Sequence, residues 1–412
     1  MSAVRGRPGG AVVDDLLAPE VIADPHPYFA RLREDDPVHW TERSRGWLLT
    51  RYDDIVASLR DPRLSADRVS AYFTAGLGPE DRELMTPAFE VLARWMVFQD
   101  PPDHARLRGL VRQAFTTRAV AALRPRVESI VAMLLDDLEA VGRADLLVAV
   151  ARPLPAIVIA ELLGVPVTDR DLFTQWSTEL SSLLFGALDD PARYHRGHQA
   201  LHELIDYFES LIERYRTEPN GNLITALVHA EERGDALRRE EVVATCILLL
   251  FAGHATTTDL LGNAVLALLR HPDQRRILQG DPSLAPRAVD EFLRYDGPGK
   301  VTVRSVREGL EVRGRRLEPG QRVILALASA NRDPELFTDP DRLDVTRREN
   351  RHLGFGSGIH FCLGAHLARL ETEIAITSLL SRFPRLQLTD EPLHWQPVAL
   401  TRSLMALPVS VG

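Results

Sequence analysis

Cysteine is the scarcest informative residue: the 412 residues hold only Cys246 and Cys362. Two thiols cannot build a disulfide framework, so a cross-linked secreted scaffold is excluded and a reducing cytoplasm is expected. Long apolar runs are also missing. The longest, 242–253, is interrupted by Thr245 and closes at His254, well short of the roughly 20 residues of a membrane span. It predicts a buried helix in a soluble protein. The first ten residues carry arginines, glycines and a proline without an apolar stretch, so no signal peptide or anchor is expected. Basic residues are outnumbered, 49 against 58 acidic, for a net charge of -9, which argues against nucleic acid as a partner. No linker, repeat or low-complexity tract divides the chain, which predicts a single domain over 1–412. Among its 26 glycines there is no Gly-x-Gly-x-x-Gly element with a partner acid. Neither a nicotinamide nor a flavin is expected, and electrons for any redox chemistry would come from another protein.

What is present is helical periodicity. Apolar stripes recur over 28–33, 120–141, 156–163, 197–216, 240–270, 287–295 and 365–383, each at the spacing of one helix face. Strand signals are confined to 38–52 and to 310–327, the latter alternating around Pro319-Gly320. The fold class predicted is mainly α with a minor β part. Residues 65–99 show weak periodicity and are expected to form a long irregular connection, often a lid in an enzyme.

Cys362 lies in Phe355-Gly356-Ser357-Gly358-Ile359-His360-Phe361-Cys362-Leu363-Gly364, directly ahead of the stripe Leu367, Leu370, Ile374, Thr377, Leu380. Glycines let a backbone wrap tightly around a sulfur, and a following helix N-terminus favours an anion there. A thiolate offered in this way suits a haem iron, for which Cys362 would be the metal ligand. His360 and His366 flank the cysteine but lack the spacing of a zinc motif.

Four further segments accompany that loop: Glu291-x-x-Arg294 on a helix, Pro340-Asp341-Arg342-Leu343-Asp344, Asp100-Pro101-Pro102-Asp103-His104-Ala105-Arg106-Leu107-Arg108, and Ala252-Gly253-His254-Ala255-Thr256-Thr257. Together the five resemble the cytochrome P450 haem-thiolate monooxygenases, most closely the soluble actinobacterial type, over nearly the whole chain. The resemblance implies a helical domain with a small sheet region around a buried haem b (iron protoporphyrin IX). It implies that Cys362 ligates iron and that His104, Arg108, Arg304 and His360 neutralise the two propionates. Ala252, Gly253, Phe355 and Gly364 would line the cofactor, and Thr256 would handle oxygen and protons. Arg342 is expected to join Glu291 and Arg294 in a structural ion cluster, with Leu343 where phenylalanine is more usual.

Ala255 departs from the family, which usually places an acid just before Thr256. Asp259, one turn along, and His254 are the nearby groups able to substitute. Alanine here also occurs in nitric oxide reductases of the superfamily, so that chemistry stays open. Gly299 stands where a branched apolar residue is common, which predicts room above the ring for a bulky substrate. Lys300 beside it either snorkels to water or meets a carboxylate. The 65–99 lid, Leu180 to Leu184 with Phe185, Leu249 to Ala252 and Leu400 to Leu404 complete the expected pocket, whose composition suits a natural product of secondary metabolism. Arg106, Arg112, Arg347, Arg348 and Arg351 are read as a docking surface for a small acidic ferredoxin, itself served by a ferredoxin reductase. The reaction expected is hydroxylation or epoxidation of a substrate that is free or presented by a carrier protein. Oxidative coupling without oxygen insertion, and a haem-binding recruiting protein without turnover, remain as alternatives.

Overall fold

Helices carry most of the chain in this computed structural model, which describes residues 15–67, 69, 79–185, 192–232 and 237–412. The predicted periodic segments are the helices His26–Asp35, Arg124–Val141, Pro153–Leu163, Ala192–Thr217, Arg239–Arg270, Ala285–Asp296 and Ala365–Arg382. The central element is Arg239–Arg270. By length and composition it could cross a membrane, yet its apolar stretch is mostly buried against other helices. At its start the Glu241 carboxylate accepts the Arg238 backbone N–H at 2.8 Å, filling an otherwise unpaired donor of the first turn. The helices Pro153–Leu163, Arg170–Phe185 and Ala192–Thr217 pack on one part of it, and Ala285–Asp296 and Ala365–Arg382 on another. Glycine permits one of these approaches, since a Cβ at Gly253 would come within 3.1 Å of Ile159.

Among the described residues, the minor β part comprises a five-stranded sheet, a three-stranded sheet of Arg143–Asp145, Pro408–Ser410 and Gln387–Leu388, and a two-stranded hairpin. In the first, Val38–Thr41 pairs antiparallel with Gly46–Leu49, which runs parallel to Arg322–Leu325; that strand pairs antiparallel with Thr302–Val306, and Leu64–Ser65 forms the other edge. One apolar cluster fills the helical part and a second lies around this sheet.

The turn expected at Pro319-Gly320 is present, with the Gln321 N–H donating to the Glu318 carbonyl at 3.1 Å and Gly320 at φ 85°. The strands on either side of it, however, do not pair with each other. Leu310–Val312 pairs instead with Arg315–Leu317 through Arg313 and Gly314, both at positive φ, a combination that suits a tight hairpin turn. Residues 65–99 also differ from expectation: they are not an irregular connection throughout, because Pro79–Ala93 is a helix lying against Ala192–Thr217. Met85, Ala88, Phe89 and Leu92 are its buried face, at helical spacing that the flanking Gly78-Pro79 and the internal Pro87 obscured. The rest of the expected lid, residues 68 and 70–78, lies outside the described residues.

Candidate functional site

Cys362 is held by local backbone geometry. Gly356 and Gly358 adopt φ of 71° and 73°, left-handed values that a side chain would strain. At Gly358 a Cβ would also meet the Leu59 carbonyl oxygen at 2.9 Å. The turn is closed by the Cys362 N–H, which donates to the Phe355 carbonyl at 2.9 Å. Three residues later the helix Ala365–Arg382 begins. Desolvation pushes the Cys362 thiol above its ordinary value, while the Gly364 backbone N–H and the Arg108 and Arg369 charges favour the thiolate.

Around that sulfur the fold gathers residues remote in sequence. A cavity of about 390 Å³ is lined by Cys362, Phe355, His360 and Gly364 from the loop, His104 and Arg108 from Asp103–Val111, and Arg304 from the sheet. Ala252, Gly253 and Thr256 line it from the central helix and Gly299 from the segment before the sheet. The expected cofactor and catalytic residues therefore line one cavity, whereas the expected pocket segments 180–184 and 400–404 do not line it. An added Cβ at Gly299 would meet nothing nearer than a Leu327 methyl at 3.8 Å, so the space expected there is present.

Among the described residues, His104, Arg108 and Arg304 of this cavity form no ion pair with a carboxylate. His104 is buried, its Nε2 has no partner among the described residues, and its ring stands 4.3 Å from that of His360. Burial, followed by the charge of Arg108, holds the His104 pKa down. Arg304 is 5% exposed and its Nη1 donates to the Val303 carbonyl at 2.9 Å. Burial brings its pKa down to about 10, against an opposing contribution from Asp100. Arg108 is also lowered by burial, and its Nη2 donates to the Phe361 carbonyl at 2.7 Å. Buried cations without a counter-ion are costly. A flat, apolar group carrying two carboxylates and a metal needing a thiolate matches this donor set, so the residues present fit a haem.

The ion cluster differs from expectation in its third member. Glu291 and Arg294 are fully buried and doubly bonded, at 2.7 and 2.8 Å. The side chain that joins them is Arg347, whose Nε reaches Glu291 at 3.1 Å. Arg342 contributes only its backbone carbonyl, to Arg294 at 2.8 Å, and its side chain is exposed. The meander turns after Leu343, which is buried, and this carries the later arginine inward. Arg347 accordingly leaves the expected docking surface. So does Arg106, bonded to Glu241 at 2.6 and 3.0 Å and to Asp103 at 2.8 Å. Arg112, Arg348 and Arg351 remain exposed, as do Ile359 and Phe361 beside the cysteine.

Lys300 follows neither expected course. It is 3% exposed and its Nζ donates to the Val398 carbonyl at 2.7 Å. Burial, then the charge of Arg402, lowers its pKa to about 7. Glu371 is the residue that the motif reading missed. It is buried on the helix after Cys362, lines the cavity, has an Oε2 without a partner among the described residues, and is pushed by burial up to about 8. Its signal was available: an acid placed on the apolar stripe, four residues after Leu367 and three before Ile374.

Comparisons with known proteins bear on this geometry. The family model described as "Cytochrome P450" matches residues 81–281 and 283–403. The chain is 43% identical over 410 residues to a vitamin D(3) 25-hydroxylase of Pseudonocardia autotrophica, covering 98% of each chain. To the cytochrome P450 monooxygenase PikC of Streptomyces venezuelae it is 42% identical over 402 residues, 95% of this chain and 92% of the relative. Among solved structures it is similar to P450BioI in complex with an acyl carrier protein bearing hexadec-9Z-enoic acid. The TM-score is 0.88 at 36% identity, over 95% of this chain and all of the other.

Proposed function

The chain belongs to the cytochrome P450 family, and from that premise we propose that this monooxygenase inserts one oxygen atom into a bulky intermediate of secondary metabolism. The observation that carries the reading is the single cavity in which Cys362, Arg108, Arg304, His104 and His360 meet an apolar wall opened by Gly299. Relatives support the substrate class: one is named for polyketide biosynthesis and another as a cyclomarin C epoxidase.

Haem b, when bound, would supply the activation of dioxygen. The residues of this chain do the rest. Cys362 is the thiolate ligand. His104, Arg108, Arg304 and His360 would hold the group by pairing with its carboxylates, which would compensate the burial of Arg304. Ala252, Gly253, Phe355 and Gly364, which line the same cavity, would contact it. The Thr256 hydroxyl donates to the Ala252 carbonyl at 3.0 Å, which leaves its oxygen lone pairs to accept a proton, and rotation of the hydroxyl away from that carbonyl lets it pass one on. Leu248, Leu249 and Leu327 give the substrate side an apolar wall. Exposed Arg112, Arg348 and Arg351, with Ile359 and Phe361, form the face on which an acidic ferredoxin delivers electrons in the cytoplasm.

The test is a spin-state titration of the ferric protein against macrolides, aromatic polyketides, terpenoids and cyclic peptides. A saturable shift with one class names the substrate family, and product mass then separates oxygen insertion from coupling, which removes two hydrogens. Silence across the panel with haem intact directs the search to carrier-tethered substrates, for which the acyl carrier protein seen on a solved relative is the precedent, or to the small-ligand chemistry that Ala255 permits. For the electron donor, Arg112→Glu is expected to slow ferredoxin-supported reduction at low salt. An unchanged rate removes the docking assignment.

A further inference from the structure

A second cavity, of about 460 Å³, lies along the central helix and shares one residue with the first: Thr256 lines both. Its wall is polar. Asp259, one turn beyond Thr256, accepts a hydrogen bond from Ser403 Oγ at 2.6 Å, and Ser403 in turn bonds Thr401 Oγ1 at 3.0 Å. The Thr401 backbone bridges to Gly299, which lines the first cavity. His254 Nδ1 bonds Ser177 Oγ at 3.0 Å, and the His254 Nε2 is buried without a partner among the described residues. A polar space of this size suits water, which needs two to four such partners. The place where the family usually puts an acid is Ala255, which also lines this second cavity.

We propose that Asp259, oriented by Ser403, is the acid that supplies Thr256 with protons through the second cavity, in the role that Ala255 leaves unfilled. The inference rests on the monooxygenase reading above. Each turnover takes RH, O2, two electrons and two protons to ROH and H2O, with the electrons from a ferredoxin-class donor. A proton passes from the Asp259 carboxyl through the Thr256 hydroxyl to the oxygen atom that departs as water, and Asp259 is reprotonated from solvent in the cavity. Among the described residues, the charged and titratable groups facing it are few. Arg152 and Arg193 line the cavity, and His254 shares the helix, its pKa lowered by burial to about 4 and so neutral at working pH. The helix Arg170–Phe185 contributes hydroxyls and the C-terminal segment Gln396, Thr401 and Ser403, all uncharged. Burial raises Asp259 to about 7, against the opposing Ser403 bond and Arg152 charge, which places it where an acid both gives and regains a proton.

The experiment uses the haem-loaded full chain, reduced by a surrogate ferredoxin and its reductase without substrate, and reads the ratio of peroxide to water formed from oxygen. In Asp259→Asn that ratio is expected to rise roughly tenfold, less than the roughly 100-fold of a fully committed general acid, because cavity water substitutes in part. Adding Ala255→Asp to that variant restores the ratio, which a merely structural role for Asp259 would not allow. Infrared spectra near neutral pH should show a protonated carboxyl band that Asp259→Asn removes and Ser403→Ala displaces. An unchanged peroxide ratio in Asp259→Asn, no rescue by the double variant, or no such band overturns the proposal. If Asp259→Asn does not fold, Ser403→Ala carries the peroxide measurement with a smaller expected rise, and no rise overturns the proposal. Failure of the monooxygenase reading looks different: the reduced protein with carbon monoxide would show no thiolate-type haem band.

Discussion

Removing the side chain of Arg347 should destabilise the protein far more than removing that of Arg342, although Arg342 sits in the segment where the family's third cluster member is expected. The Glu291 carboxylate is fully buried and takes five donors: Arg294 twice, Arg347 at 3.1 Å, Asn350 at 3.2 Å and the Asp344 N–H at 2.8 Å. Arg347→Ala deletes one charge-assisted bond from that site, worth about 1.5–3 kcal/mol. It also frees the Thr338 carbonyl, which accepts from Arg347 at 3.0 Å. Arg342→Ala removes an exposed side chain whose backbone carbonyl still accepts from Arg294, so the expected change is within about 0.5 kcal/mol. Glu291→Gln, which leaves Arg294 buried beside a neutral amide, should cost about 3–5 kcal/mol, the range for breaking a buried pair. Urea unfolding of the haem-loaded protein, followed by far-UV circular dichroism and by haem absorbance, gives the midpoints. Equal midpoints for the two arginine variants, or a lower one for Arg342→Ala, would refute the assignment of Arg347.

Cys362→Ser should fold and retain the helices around it, yet lose the red-shifted carbon monoxide band of a thiolate-ligated haem; persistence of that band would place the ligand elsewhere. Arg304→Leu and His104→Leu should each speed haem transfer to an apoglobin acceptor by about 10- to 100-fold, the equivalent of one charge-assisted hydrogen bond. Transfer at the wild-type rate would remove them from the propionate set. Lys300→Met should leave substrate affinity unaltered, since the amine is committed to the Val398 carbonyl, but it should change the pH profile of stability. The folded pKa of about 7 lies below the ordinary 10.5, so between those values the unfolded chain binds more protons. Wild-type stability then rises with pH across that window by up to about 1.4 kcal/mol per unit relative to the variant. Parallel profiles would contradict the burial of a neutral amine.

Much of this fold was legible because helix signals are local. Six of the seven stripes at helical spacing became single helices, the stripe over 120–141 being broken at 122–123 between Thr117–Ala121 and Arg124–Val141, and the spacing of His104 and Arg108 placed both on one face of Asp103–Val111. The helix Pro79–Ala93 was hidden by its prolines, and the hairpin turn fell at Arg313-Gly314 because strand pairing is chosen by register and not by the most conspicuous turn dipeptide. The cysteine loop was readable for the same local reason, as positive φ at Gly356 and Gly358 depends on those residues alone.

Which long-range partner each charged side chain meets was not legible. Arg347 and Arg342 are five residues apart in one irregular segment, and only the path of that segment past Glu291 decides between them. Lys300 was read as solvated or paired, and the C-terminal turn supplied a carbonyl instead. Asp259 was one of two candidate acids on a helix. Ser403, 144 residues away, and the second cavity distinguish it from His254. The sequence by itself determined the helices, the thiolate loop and the family, since these follow from spacing and local backbone chemistry. The tertiary structure decided the partners of buried charge, because desolvation and hydrogen bonding act through space on groups that the chain brings together only when folded.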